Sequence, residues 1–113
     1  MLEIKVIEGH DLPIADRDAS DSYVKVYLYG SVKAFVGQTK VFNANLNPVY
    51  NYSVQAPSSR GCRVLFEMWD DERVGSSRIM GYCTFDPLTM AFNQVLKIPI
   101  KCEIPRGGKN ATL

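Results

Sequence analysis

At 113 residues the chain is of single-domain size, long enough to bury one core without disulfide or metal staples. Hydrophobic residues make up 46% and charged residues 22%, with no low-complexity tract, which excludes a disordered segment. The net charge of +1 supplies no global field to attract nucleic acid, and no apolar stretch approaches the roughly 20 residues of a membrane-spanning helix.

In chain order the dominant hydrophobic period is two. Leu2, Ile4 and Val6 alternate with Glu3, Lys5 and Ile7, so these first residues read as a strand rather than as the apolar block of a signal peptide. Val24, Val26 and Leu28 alternate with Lys25, Tyr27 and Tyr29. Further strands are expected over 35–42, 49–56, 64–69, 79–85 and 95–100, with a stub at 110–113; 88–93 offers at most one helical turn. Turn signals separate them at Gly30-Ser31, Asn43 to Pro48, Pro57 to Gly61, Gly75 to Ser77, Asp86-Pro87 and Pro105 to Gly108. Seven or eight short strands at this spacing predict an all-β fold, an antiparallel β-sandwich, and with no repeat or linker the chain reads as a single domain over 1–113.

Two acidic clusters sit at strand ends. Asp16, Asp18 and Asp21 precede the run beginning at Tyr23, and Asp70, Asp71 and Glu72 follow the run ending at Trp69. Crowded carboxylates repel one another unless a cation bridges them, so oxygen ligands on converging loops point to a hard cation, calcium first. Cys62, Cys83 and Cys102 form no Cys-x-x-Cys or Cys/His zinc pattern, and reduced thiols in a cytosolic domain are the expected state. His10 is the sole histidine and has no serine or cysteine motif beside it, so catalysis is not expected.

Leu2 to Pro13 (LEIKVIEGHDLP), Ser20 to Val26 (SDSYVKV), Thr39 to Val41, Leu46 to Asn51 (LNPVYN), Phe66 to Asp70 (FEMWD) and Ile79 to Gly81 follow, in order, the motifs of C2 domains, and the chain resembles that family over nearly its whole length. The resemblance implies an eight-stranded antiparallel Greek-key β-sandwich. Its three loops at one end bind calcium and meet phospholipid. The strand order is similar to the permuted variant, in which the family's usual first strand comes last.

By the same resemblance Asp16 and Asp21 match the first-loop ligands, in a loop one residue shorter than usual. Asp70 matches the first ligand of the third loop, Asp71 contributes a main-chain oxygen, and Glu72 stands where aspartate is usual. Arg78, or Ser77 if the loop is slipped by one, replaces the last aspartate. The resulting formal charge near −3 suits one ion rather than three. Asp18 reads as an exposed turn residue, with a substitute-ligand role left open. The alternative is a calcium-independent protein-interaction or structural module whose loop carboxylates are neutralised by Arg78.

The expected partner is an anionic phospholipid membrane, with other domains of a parent protein as a further possibility and no nucleic acid. Arg17, Arg73, Val74 and Arg78 are the loop candidates for lipid contact, with shallow insertion at Arg73-Val74-Gly75. Lys25 and Lys40 match two lysines of a sheet face that C2 domains often make basic; Tyr27 and Gln38 stand at the other two positions, and Lys33 is near in sequence. Tyr27, Tyr29 and Trp69 read as packing aromatics. The expected location is peripheral, at the cytoplasmic face of a membrane. Cys83 is also similar to a cysteine of the perforin-type secreted C2 domain, which implies the alternative of a secreted domain with a Cys83 to Cys102 disulfide; Asn51-Tyr-Ser53 and Asn110-Ala-Thr112 fit the glycosylation pattern.

Overall fold

The computed structural model describes residues 2–10, 12, 21–56, 62–71, 78–86 and 101–102. The strands are β1 (Leu2–Glu8), β2 (Ser22–Tyr29), β3 (Lys33–Gln38), β4 (Val49–Ala56), β5 (Arg63–Asp70), β6 (Arg78–Phe85) and β7 (Lys101–Cys102). They form two sheets, β1-β4 and β3-β2-β5-β6-β7, and every pairing is antiparallel. The β-sandwich expected from the alternation is present. The strands expected over 95–100 and 110–113, and the possible turn over 88–93, lie outside the described residues.

Alternation decides which side chains meet between the sheets. Ile4 and Val6 of β1 and Tyr50 and Ala56 of β4 pack against Val24 and Val26 of β2, Val64, Phe66 and Met68 of β5, and Met80 and Cys83 of β6. Fully burying one such aliphatic or aromatic side chain contributes roughly 1.5–3 kcal/mol. The same burial pushes the Cys83 thiol up to about 12, because the thiolate is disfavoured in an apolar setting. Cys83 is a free thiol, and the register sets Gly81 rather than Cys83 against Cys102. The disulfide contemplated for a secreted domain is therefore not formed, and Cys62 is free as well.

Register shifts interrupt the β1–β4, β2–β3 and β5–β6 pairings, and the first of them and a glycine shape the contact between the sheets. Between the pairs Val6–Tyr52 and Glu8–Val49, one residue of β1 faces two of β4, and the extra residue Asn51 takes φ of 48°. Asparagine tolerates this left-handed conformation better than most residues, and the bulge keeps Tyr50 directed at the core. On the other sheet, a side chain on Gly37 would collide with the Tyr52 hydroxyl and lie 3.2 Å from Val54 Cγ2, so glycine permits β3 to approach β4.

The strand expected over 35–42 is shifted and shortened. It starts at Lys33 and stops at Gln38, because Thr39 takes over the pairing to β2: its N–H donates to the Val24 carbonyl at 2.9 Å while its Oγ1 accepts from the Val24 N–H at 3.0 Å. Phe42 then returns to an isolated bridge with Ser22. Phe42 meets the Tyr50 ring edge to face at 5.2 Å, and the buried Tyr50 hydroxyl shares a 2.7 Å hydrogen bond with Ser22 Oγ, tying the two sheets together.

Candidate functional site

The β2–β5 register positions the site. Ser22 pairs with Asp70, so the residue before β2 and the last residue of β5 arrive at one end of the sandwich together. The Asp21 N–H donates to Asp70 Oδ1 at 2.8 Å, and the Asp71 N–H donates to the Asp21 carbonyl at 2.8 Å, continuing the ladder past the strand ends. A third bond recruits the segment between β3 and β4: the Ala44 N–H donates to Asp21 Oδ1 at 2.7 Å, with Ala44 held at φ of 50°. Three connections thus converge on one carboxylate pair. Asp70 is 3% exposed, Asp21 half-buried and Asp71 exposed.

Backbone amides carry no net charge, so these bonds orient the carboxylates without themselves cancelling their charge. Each carboxylate presents about four acceptor directions, more than one amide bond uses. The donor set, all oxygen and anionic, fits a hard cation such as calcium rather than a thiolate-seeking metal. Calcium takes six to eight oxygens, which two carboxylates do not supply. Among the described residues no group of three or more His, Cys, Asp or Glu is arranged to hold a metal ion. Asp16, Asp18 and Glu72 lie outside the described residues, as do Arg17, Arg73 and Val74. For Arg78 the backbone is described, and it is the register partner of Asp70.

The second candidate surface is the outer face of the five-stranded sheet. Lys25 projects from β2 and places its Nζ 4.3 Å from the Trp69 ring centroid and 5.9 Å from that of Tyr23. Lys40 is exposed beyond the end of β3. Lys33 crosses the Tyr27 ring, 4.3 Å from its centroid, to reach Glu67 Oε2 at 2.5 Å. The other oxygen of Glu67 accepts the Trp69 indole N–H at 3.1 Å, and the residue is 7% exposed. Tyr27 also packs edge to face on Phe35 at 5.6 Å. Burial, followed by the Glu67 carboxylate, raises the Tyr27 phenol above its ordinary range. Tyr27 and Trp69 are thus engaged by Phe35, Lys33, Lys25 and Glu67, whereas Tyr29 is 46% exposed.

Sequence reasoning missed Glu67 and Ala44. Alternation places Glu67 on the outer face, but its partner lies two strands away and becomes visible only with the pairing in hand. Nothing in the local sequence marks Ala44 as an amide donor to a carboxylate 23 residues earlier.

A family model described as "C2 domain" matches residues 1–101. Human synaptotagmin-3 is 31% identical over 112 residues, covering 95% of this chain and 19% of its own length. Yeast (Saccharomyces cerevisiae) tricalbin-3 is 34% identical over 93 residues, covering 75% of the chain and 6% of its own length. The chain thus spans about a fifth or less of these relatives. Among solved structures, a C2 domain of plant extended synaptotagmin 1 superposes with a TM-score of 0.75 at 21% identity, over 97% of this chain and 88% of that one. A C2 domain of RIM from Drosophila gives 0.69 at 18% identity, over 80% and 78%. The order of motifs and the antiparallel sandwich agree with these matches, and the chain belongs to the C2 domain family, a non-catalytic family of β-sandwich modules.

Proposed function

We propose that the chain, as one domain over 1–113, is a calcium-dependent phospholipid-binding module that targets its parent protein to membranes. The observation that carries this reading is the convergence of Asp21 and Asp70, held by amide bonds at the ends of two paired strands. Asp16, Asp21, Asp70, Asp71 and Glu72 would hold the ion, which supplies a cationic bridge between loop carboxylates and lipid phosphate oxygens. Arg17, Arg73, Val74 and Arg78 border that contact. With one apolar residue among three bases the contact is shallow and largely electrostatic, so raised salt weakens it. The location is peripheral at the cytoplasmic face, a reading supported by the two free thiols, Cys62 and Cys83.

The test is co-sedimentation with phosphatidylserine and phosphatidylcholine vesicles, each with calcium and with chelator. Binding to phosphatidylserine only with calcium is expected. Equal binding with chelator overturns the calcium dependence.

A second reading has one specific observation in its favour: Arg78 is the register partner of Asp70. In that reading the arginine stands in for the cation and the module docks other domains without calcium. Partner binding that survives both chelation and Asp70→Asn is its signature, and calorimetry with calcium alone then shows no heat.

A further inference from the structure

The outer sheet face carries a feature that the lysines alone do not reveal. Lys25 and Lys33 give it positive charge, yet the carboxylate of Glu67, 7% exposed, is the cross-strand neighbour of Lys25 and is claimed by Lys33 and the Trp69 indole. Lys33 reaches it by lying across the Tyr27 ring, so the ammonium is engaged by a carboxylate and an aromatic face together. The Lys33 side chain still has 43% of its surface exposed. It is therefore close enough to solvent to meet a ligand, but its charge is already matched. Lys25 stands opposite Glu67 in the β2–β5 register, but its ammonium lies over the uncharged rings of Trp69 and Tyr23, whereas the ion pair with Glu67 is made by Lys33.

We infer that Glu67 is an internal counter-ion that withholds Lys33 from phosphate, and so sets how strongly this sheet face binds phosphorylated headgroups. The inference rests on the reading that the domain meets anionic lipid. It assigns the control of that affinity to one buried carboxylate. A phosphate approaching this face meets Lys25 as an available charge, and must compete with a pre-formed, partly desolvated pair to engage Lys33. Glu67→Gln keeps an oxygen acceptor for the Trp69 indole, removes the competing charge and releases Lys33.

The probe is phosphatidylcholine vesicles doped with phosphatidylinositol bisphosphate, used in chelator so that the loop site is silent. Glu67→Gln binds these about fivefold more tightly than the wild type, the gain of one lysine near an anionic surface. The gain disappears in Glu67→Gln/Lys33→Gln. Lys33→Gln alone changes wild-type binding by less than twofold. Soluble inositol trisphosphate, titrated by calorimetry, separates the sources: a matching gain assigns the effect to the headgroup phosphates, and a gain on vesicles only assigns it to the lipid surface; either supports the inference. No gain in both, or a gain that persists in the double variant, overturns it. Should Glu67→Gln lose its near-ultraviolet dichroism, the Lys33→Gln single variant still decides, since weakened wild-type binding there would show that Lys33 is already in use. Wild-type binding to phosphatidylserine with calcium reports separately on the underlying reading.

Discussion

The acidic junction and the outer sheet face hold charge in opposite ways. At the junction, Asp21 and Asp70 are fixed by main-chain amides from three connections, so their orientation follows from the backbone. On the sheet face, Lys33, Glu67, Trp69 and Lys25 are arranged by one another, side chain to side chain. Neutral amides orient a carboxylate without themselves cancelling its charge, whereas a mutual ion pair offsets both charges internally. In the function proposed above, the first arrangement serves a cation. The second suits restraint of a lysine-bearing surface.

The sharpest way to break this contrast is Asp70→Ala. It removes the acceptor of the Asp21 N–H at a position 3% exposed, and a loss of about 1–3 kcal/mol is expected in urea unfolding, together with loss of any calcium heat in calorimetry. Asp70→Asn retains an oxygen acceptor, so it loses the calcium heat at a stability cost below about 1 kcal/mol. If the two variants are equally destabilised, the amide bond is not what holds the junction.

Glu67→Ala tests the other region. Lys33 is partly exposed and regains water, so solvent screening limits the cost to about 1 kcal/mol by the same unfolding measurement. A cost larger than that of Asp70→Ala would reverse the ranking of the two regions.

Ala44→Gly sharpens the comparison from the side of strain. Alanine at φ of 50° carries a penalty of roughly 1–2 kcal/mol, and glycine gives back roughly 0.5–1 kcal/mol through the entropy of the unfolded chain. A net stabilisation of about 0.5 kcal/mol is expected, measured as a raised urea midpoint with an unchanged slope. Smallest is Lys25→Gln, which removes the cation over Trp69 and costs about 0.5 kcal/mol, with a change in tryptophan fluorescence as its local readout.

Most of the sandwich was legible because alternation of two residues dictates which faces are buried: Val24, Val26, Val64, Phe66 and Met68 form the core as their spacing indicates. The end of β3 was not, because Thr39 carries the apolar-polar alternation onward while its own hydroxyl replaces a ladder bond. At the site, Asp21 and Asp70 stood out as carboxylates at the ends of apolar runs. What they bond to was hidden, since the partners are amides with no sequence signature. Glu67 was hidden for a related reason: its meaning depends on Lys33, 34 residues earlier and two strands away.

The continuation of the β2–β5 ladder through Asp21 and Asp71 has a consequence for how such a domain diversifies. Because the register of paired strands fixes both carboxylates, residues can be inserted, deleted or exchanged between 13 and 20 or between 72 and 77 while the two acids keep their mutual spacing; Leu12, buried in the core, is excepted. A single-residue insertion inside either strand has the opposite effect: unless a bulge absorbs it, as at Asn51 of β4, it turns every following side chain to the other face. Variation in ligand preference is thereby confined to the connections, and loops from another member of the family can be transplanted onto this pair of strands as interchangeable cassettes.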